Sequence, residues 1–189
     1  MALVLGYLLG AIPFGLLLTR FAGAGDLRTI GSGNIGATNV LRTGRKGLAA
    51  ATLLLDGGKG AVAVVIAQWI DPGLGVVGAA GAFFGHCYSV WLGFRGGKGI
   101  ATYAGIAFAL SWPAGLVFAA VWLGVLAVFR YSSLSGISAA IAAPVAAAVW
   151  GNFDTAALFI VFGLVVLWKH RTNIERLLVG SEPGVGQQS

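Results

Sequence analysis

The sequence predicts an all-α membrane protein of seven transmembrane helices, and three observations carry that prediction. Of its 189 residues, 58% are hydrophobic and 10% charged, with a mean hydropathy of +0.89; a soluble domain carries roughly a quarter charged residues, so a soluble globule is excluded. The apolar residues fall in long runs separated by short polar or basic segments. The basic residues are also sorted: apart from Lys59 they occupy one set of alternate loops, and the opposite loops contain Asp71 and Asp154 with no lysine or arginine. The positive-inside rule makes the basic face cytoplasmic. Seven crossings then leave the N-terminus periplasmic, the C-terminus cytoplasmic and the polar motifs on the cytoplasmic side.

Ala2 to Thr19 forms the first span, with Pro13 tolerated or kinking it, and Arg20 stops it. No basic segment precedes the apolar run and no A-x-A site follows, so this helix is expected to be retained rather than cleaved. Gly47 to Ile70 is the second stretch, interrupted by Asp56-Gly57-Gly58-Lys59-Gly60 and ended by Asp71-Pro72. Asp56 and Lys59, three apart, share one helical face and neutralise each other as a structural pair. Gly73 to Leu92 is the third span and carries His86. Ile100 to Phe129 is thirty residues, which as one helix would be about 45 Å long against a hydrocarbon core of about 30 Å. A break at Ser111-Trp112-Pro113 gives spans Ile100–Leu110 and Pro113–Phe129 and returns Arg95, Lys98 and Arg130 to one side. The first of these is short, so either Gly97–Gly99 is already helical or the bilayer thins there. Leu134 to Trp150 and Thr155 to Trp168 complete the seven, with the turn at Gly151–Asp154 between them. Residues 1–180 form a single transmembrane domain, and 181–189 a short polar tail expected to be disordered. The one cysteine, Cys87, cannot form an intrachain disulfide.

The stretch Gly31-Ser32-Gly33-Asn34-Ile35-Gly36-Ala37-Thr38-Asn39-Val40-Leu41-Arg42 stands apart from this oily background. Its glycines allow positive φ and close approach, and its hydroxyls and amides offer donors and acceptors to something that is neither lipid nor core. Arg20, Arg28, Arg42, Arg45, Lys46 and the single acid Asp26 flank or share it. Three further cytoplasmic clusters follow: Phe94–Gly99, Arg130–Ser133 and Lys169–Arg176. Glycine-rich backbone, hydroxyls and cations together describe an anion site, most simply one for phosphate. Arginines at span ends are also topology signals, which suffices for Arg20, Arg45 and Arg130; Arg42, after the polar loop, and Lys98, among glycines, ask for more. Gly96-Gly97-Lys98-Gly99 is no P-loop, because Leu92 stands where a glycine is needed and Gly99 where Ser or Thr is needed. The same tetrapeptide at Gly57–Gly60 reads as a remnant repeat or as a common way to start a membrane helix. His86 reads as a packing histidine, and His170, beside Asn173 at the membrane surface, as the better substrate contact. His170 and Glu175 form no convincing His-x4-acid pair. Two histidines, one cysteine and no clustered carboxylates leave no metal site, and no G-x-S-x-G elbow is present. A transporter of phosphorylated or anionic metabolites is the competing class, although it predicts midplane charges and internal symmetry. A headgroup transferase would need paired aspartates.

The loop Gly31–Arg42, the turn Arg95-Gly96-Gly97-Lys98-Gly99 with Ala101-Thr102, and His170-Arg171-Thr172-Asn173-Ile174 with Arg176 and Gly180-Ser181-Glu182 resemble the three motifs of the bacterial acyl-phosphate-dependent glycerol-3-phosphate acyltransferases. The resemblance covers nearly the whole chain, in order. It implies a multi-pass enzyme of the bacterial inner membrane, active on the cytoplasmic side, that moves an acyl group from long-chain acyl phosphate to the 1-hydroxyl of glycerol 3-phosphate. The products are lysophosphatidic acid and inorganic phosphate, the first step of phospholipid synthesis. It further implies Ser32, Arg42 and Lys98 as catalytic residues, and Asn34, Gly36, Thr38, Asn39, Gly96, Gly97, Gly99, Ser133 (with Ser135 as the alternative), His170 and Asn173 as substrate-binding. No cofactor and no nucleic acid is implied. The partners are the two substrates, membrane lipid and, by functional coupling, the enzyme that forms acyl phosphate.

Overall fold

The structure, a computed structural model, describes residues 1–186, and among these every regular element is helical. Helices satisfy their own backbone polar groups, which is what an apolar surround demands. The chain expected to form one domain divides into two compact units, Met1–Ile106 and Ala107 onward.

In the first unit, α1 (Ala2–Ala11) and α2 (Phe14–Phe21) are separated at Ile12-Pro13. The proline kinks the first span outright, because it has no N–H to continue the ladder. The carbonyls freed at the break find other donors: Ser89 Oγ donates to Ala11 O and Lys59 Nζ to Ile12 O, both at 2.7 Å. After the short α3 (Ala37–Leu41), α4 runs unbroken from Lys46 to Ile70. The polar segment Asp56–Gly60 interrupts the apolar run but not the helix, with Asp56 and Lys59 on one face as expected; the reading of Gly57–Gly60 as a helix start is corrected. Those glycines are mid-helix because they let α6 (Ile100–Leu110) close in: a Cβ on Gly60 would lie 2.6 Å from Thr102 O, and one on Gly57 3.3 Å from Ala101 O. Between them in sequence, α5 (Gly75–Cys87) lies against α1 along Gly6, Gly10, Gly81 and Gly85, where any Cβ would strike the opposing backbone. Small residues serve this purpose in membrane helices, where lipid is as apolar as leucine and tight backbone approach supplies the contact.

The second unit contains α7 (Trp112–Phe129), α8 (Ser132–Val149), α9 (Phe153–Lys169) and α10 (Arg171–Leu178). The break at Ser111 with Pro113 in the first turn of α7 is where charge sidedness and proline place it. Helix α8 packs on α7 and α9, burying Ala139, Ala140, Ala143, Ala146 and Ala147, while α9 buries Phe159, Phe162 and Val166. At His170 the chain bends by 61° into α10.

Among the described residues, five stretches are long and apolar enough to cross a bilayer: Ala2–Phe21, Lys46–Ile70, Pro72–Leu92, Trp112–Phe129 and Ser132–Val149. The bent pair Phe153–Lys169 and Arg171–Leu178 makes a sixth if it is one span. Helix α6, at 11 residues, is about 16 Å long and falls short of the core by itself. Gly97–Gly99 does not lengthen it: these residues are non-helical and Gly99 has φ +86°. The tail also departs from expectation. Ser181–Gly186 is held by hydrogen bonds described below, so disorder is corrected for those residues; the rest of the expected tail, 187–189, lies outside the described residues.

Candidate functional site

The Gly31–Arg42 loop is built around Asn39, which is 2% exposed. Its Nδ2 donates to the carbonyls of Leu27, Ile30 and Asn34 at 2.9, 3.0 and 2.8 Å, and its Oδ1 accepts from the Ser32 N–H at 3.3 Å. One amide thereby ties together a segment whose own backbone hydrogen bonds are confined to short local turns. Beneath it lies an apolar cluster of Leu16, Leu27, Ile35, Val40 and Ala49, joined at its edge by Leu41, Leu48 and Leu92. Asn39, expected among the substrate-binding residues, thus organises the loop that carries them. Ser32 and Thr38 remain exposed, with Asn34, Gly36 and Arg42 half-buried. Gly36 precedes α3 as its N-cap.

The cations around this loop divide by what they touch. Asp26 is gripped by Arg28 through Nε to Oδ1 at 3.0 Å and Nη2 to Oδ2 at 2.6 Å, with Arg20 Nη2 at 3.5 Å. The Arg28 side chain and then its backbone N–H hold the Asp26 carboxyl well below the usual carboxylate range. Arg45 donates to Ala22 O at 2.7 Å. Among the described residues, by contrast, no hydrogen bond or ion pair ends on the guanidinium of Arg42. It lies across Gly31, where a Cβ would sit 2.6 Å from Nη1 and 2.8 Å from Cδ, so Gly31 (φ +52°) is a glycine for two reasons.

Lys98 occupies a second turn of the same unit, half-buried. Leu92 anchors the approach to this turn in the cluster beneath the loop. Gly96 and Gly97 lie on the end of α5: their absent Cβ atoms would strike His86, and Gly97 N–H donates to His86 O at 3.0 Å. Gly99 lies on Phe83, 2.5 Å from where its Cβ would be, and on Cys87. The glycines expected to bind substrate are required, first, by this close approach.

In the second unit Ser133, Asn173 and Arg176 converge on Glu182. Ser133 Oγ and Asn173 Nδ2 donate to its Oε1 at 2.7 and 2.6 Å, and Arg176 Nε to its Oε2 at 2.7 Å. Burial pushes this carboxyl up, but the three donors outweigh it and hold it below its ordinary value of 4.5. Val185 N–H donates to Arg130 O at 2.8 Å and fastens the strap further along. Ser135 instead donates to Tyr131 O at 2.8 Å within its own helix, which leaves Ser133 as the serine facing the motif. His170, 3% exposed, sits at the bend with Nδ1 2.8 Å from Val166 O. A carbonyl only accepts, so Nδ1 carries the hydrogen and in the neutral ring Nε2 is the acceptor.

Ser32, Asn34, Gly36, Thr38, Asn39 and Arg42 are therefore brought together in one loop, Gly96–Gly99 in a second turn of that unit, and Ser133 and Asn173 around one carboxylate in the other. Sequence reasoning missed Glu182 as an organiser. The available signal was its place in the third motif, as a lone acid following a basic helix end.

The family model described as glycerol-3-phosphate acyltransferase matches residues 1–180. A glycerol-3-phosphate acyltransferase of Mesorhizobium japonicum is 58% identical over 186 residues, covering 98% of this chain and 95% of the relative. One from Maricaulis maris is 56% identical over 182 residues, covering 96% and 84%. Among solved structures, PlsY (YgiH), an integral membrane glycerol 3-phosphate acyltransferase, is similar in its glycerol 3-phosphate form with TM-score 0.92 and 39% identity, over 98% of this chain and 94% of that one. Its lysophosphatidic acid form gives 0.89 and 37%, over 97% and 93%.

Proposed function

The chain belongs to the glycerol-3-phosphate acyltransferase family, and we propose that it takes its acyl group from a long-chain acyl phosphate and uses Arg42 and Lys98 to hold the phosphates of its two substrates. It is an integral membrane acyltransferase acting on glycerol 3-phosphate, and the transporter reading is not favoured. The 1-hydroxyl oxygen attacks the acyl carbon, the bond from that carbon to the phosphate oxygen breaks, and inorganic phosphate leaves with the electron pair. The hydroxyl proton passes to a substrate phosphate oxygen, since the polar loops offer no strong base. Acyl phosphate brings its own good leaving group, so positioning two anions and neutralising the developing charge is the protein's main task.

One observation carries this reading: Arg42 is the half-buried cation of a tightly tied polar loop whose guanidinium spends nothing on protein partners among the described residues. Ser32 beside it, and Asn34, Gly36 and Thr38, complete the polar surface of that loop; His170, Asn173 and Ser133 supply the third motif's contacts. In the membrane we infer seven crossings, with α6 and α9 accommodated by local thinning, the N-terminus periplasmic, and the polar motifs cytoplasmic in the bacterial inner membrane. Sorting of the basic residues supports that orientation. A soluble acceptor and a lipid-borne donor both suit a basic site at the interface, and functional coupling to the enzyme forming acyl phosphate follows from the donor's lability.

The test incubates purified protein in lipid with glycerol 3-phosphate and either acyl phosphate or acyl-CoA. Lysophosphatidic acid formed with stoichiometric phosphate release from acyl phosphate alone is the expected result, and equal use of acyl-CoA contradicts the donor assignment.

A further inference from the structure

We propose that Asp56 and His86 are positioning residues that set the height and orientation at which the Gly96–Gly99 turn presents Lys98, an inference that rests on the reading of Lys98 as a phosphate ligand. Asp56, Lys59 and His86 are 2%, 6% and 4% exposed among apolar helices, and burying ionisable groups in such a place is costly unless they are paired or used. Lys59 accounts for itself. Its Nζ is 2.7 Å from Asp56 Oδ1, donates to the Ile12 carbonyl freed by Pro13, and stands 5.7 Å over the Phe14 ring. A carboxylate is not needed for that cap, because Ser89 caps the neighbouring Ala11 carbonyl with a neutral hydroxyl.

What else Asp56 faces is the imidazole of His86, with Oδ1 3.8 Å from Nδ1. That distance is too long for a hydrogen bond, yet in a medium of low dielectric a carboxylate still orients the ring. The opposite edge of the same ring is the floor of the turn: the place a Cβ on Gly97 would take is occupied by His86 Nε2. The His86 backbone carbonyl receives the Gly97 N–H at 3.0 Å and also fills the space beside Gly96. The residue preceding Lys98 is thereby seated on one residue at two points, the His86 ring and the His86 backbone carbonyl, and the ring is faced from behind by a buried carboxylate. A ring that turned or sank would carry the turn with it, and displacements of this size matter where a charge must meet a phosphate.

The test measures kcat and KM for both substrates with purified Lys98→Ala, His86→Ala, Asp56→Asn and the double variant His86→Ala/Lys98→Ala, alongside thermal unfolding in detergent. His86→Ala and Asp56→Asn are expected to raise, by about tenfold, the KM of the same substrate that Lys98→Ala weakens, with the other KM nearly unchanged. The double variant should be no worse than Lys98→Ala alone, because a residue acting only through Lys98 has nothing left to position. If His86→Ala does not fold, His86→Gln, which refills the space beneath Gly97, is measured in its place and should retain a lower KM than Asp56→Asn. Independent, multiplying losses, or equal rises in both KM values, would show a purely stabilising role and overturn the inference. Lys98→Ala altered while both positioning variants behave as wild type overturns it alone; Lys98→Ala indistinguishable from wild type overturns the phosphate reading and this inference together.

Discussion

The guanidinium of Arg42 lies over the bare Cα of Gly31, so close that a methyl group there would stand 2.6 Å from Nη1. Gly31→Ala should therefore displace Arg42 and strain a backbone at φ +52°, lowering kcat/KM by roughly tenfold or more. In an Arg42→Ala background the displacement has no object, so adding Gly31→Ala should cost only what the φ +52° strain and the approach to Asn39 Oδ1, 2.7 Å from the same Cβ, still impose, less than the loss it causes alone. Steady-state phosphate release from the two single variants and the double variant reads this out; full multiplication of the losses would separate Gly31 from Arg42.

Asn39 offers a sharper chemical comparison. Asn39→Ala removes the donor shared by three carbonyls; Leu27 O and Ile30 O keep the N–H groups of Ile30 and Gly33, so the loss falls mainly on Asn34 O, at about 1–3 kcal/mol for a buried group left unpaired. Asn39→Asp places carboxylate oxygen against those same carbonyls and should be worse. Limited proteolysis of the 27–42 segment in detergent is expected to rank wild type, Ala and Asp in order of increasing cleavage, with activity falling in the same order. An Asp variant as resistant as wild type would contradict the assigned hydrogen bonds.

Much of the architecture is legible in the sequence, for identifiable reasons. The break before α7 follows from proline at 113 together with the need to keep Arg95, Lys98 and Arg130 on one side, and α4, α6, α7, α8 and α9 begin and end within two residues of expectation, whereas α5 ends at Cys87, short of the expected Leu92. Glycine is where legibility fails. Gly57–Gly60 resembles Gly96–Gly99 letter for letter, yet one is mid-helix and the other an extended turn, because what glycine permits depends on which backbone approaches it. The organising part of Asn39 is hidden for a related reason: sequence displays its donors but not the carbonyls that receive them. Glu182 was hidden by its neighbours, a polar tail being indistinguishable in composition from a strap.

That strap should respond to acid. Its carboxyl titrates in the folded protein below the unfolded value of 4.5, so the ionised form stabilises the strap above that pH and the stabilisation is lost as pH falls through the lower folded value. Hydrogen exchange at the Val185 amide, which is bonded to Arg130 O, should be protected near neutrality and lose protection as the pH falls through the lowered titration of Glu182, after correction for intrinsic exchange. Glu182→Gln should be less protected at neutral pH and lack the acid transition. Undiminished protection in Glu182→Gln would mean that the carboxylate does not hold the strap.

The central claim, that Arg42 and Lys98 hold substrate phosphate, is tested most directly by kcat/KM for acyl transfer in Arg42→Ala and Lys98→Ala, with Arg45→Ala as the comparison because Arg45 is bonded to Ala22 O. Each of the first two should lose a factor on the order of 10² or more, while Arg45→Ala loses far less. Arg42→Lys, which keeps the charge but not the planar fork, should fall between wild type and Arg42→Ala. Near wild-type turnover in folded, inserted Arg42→Ala and Lys98→Ala would contradict the account and leave both residues as topology signals.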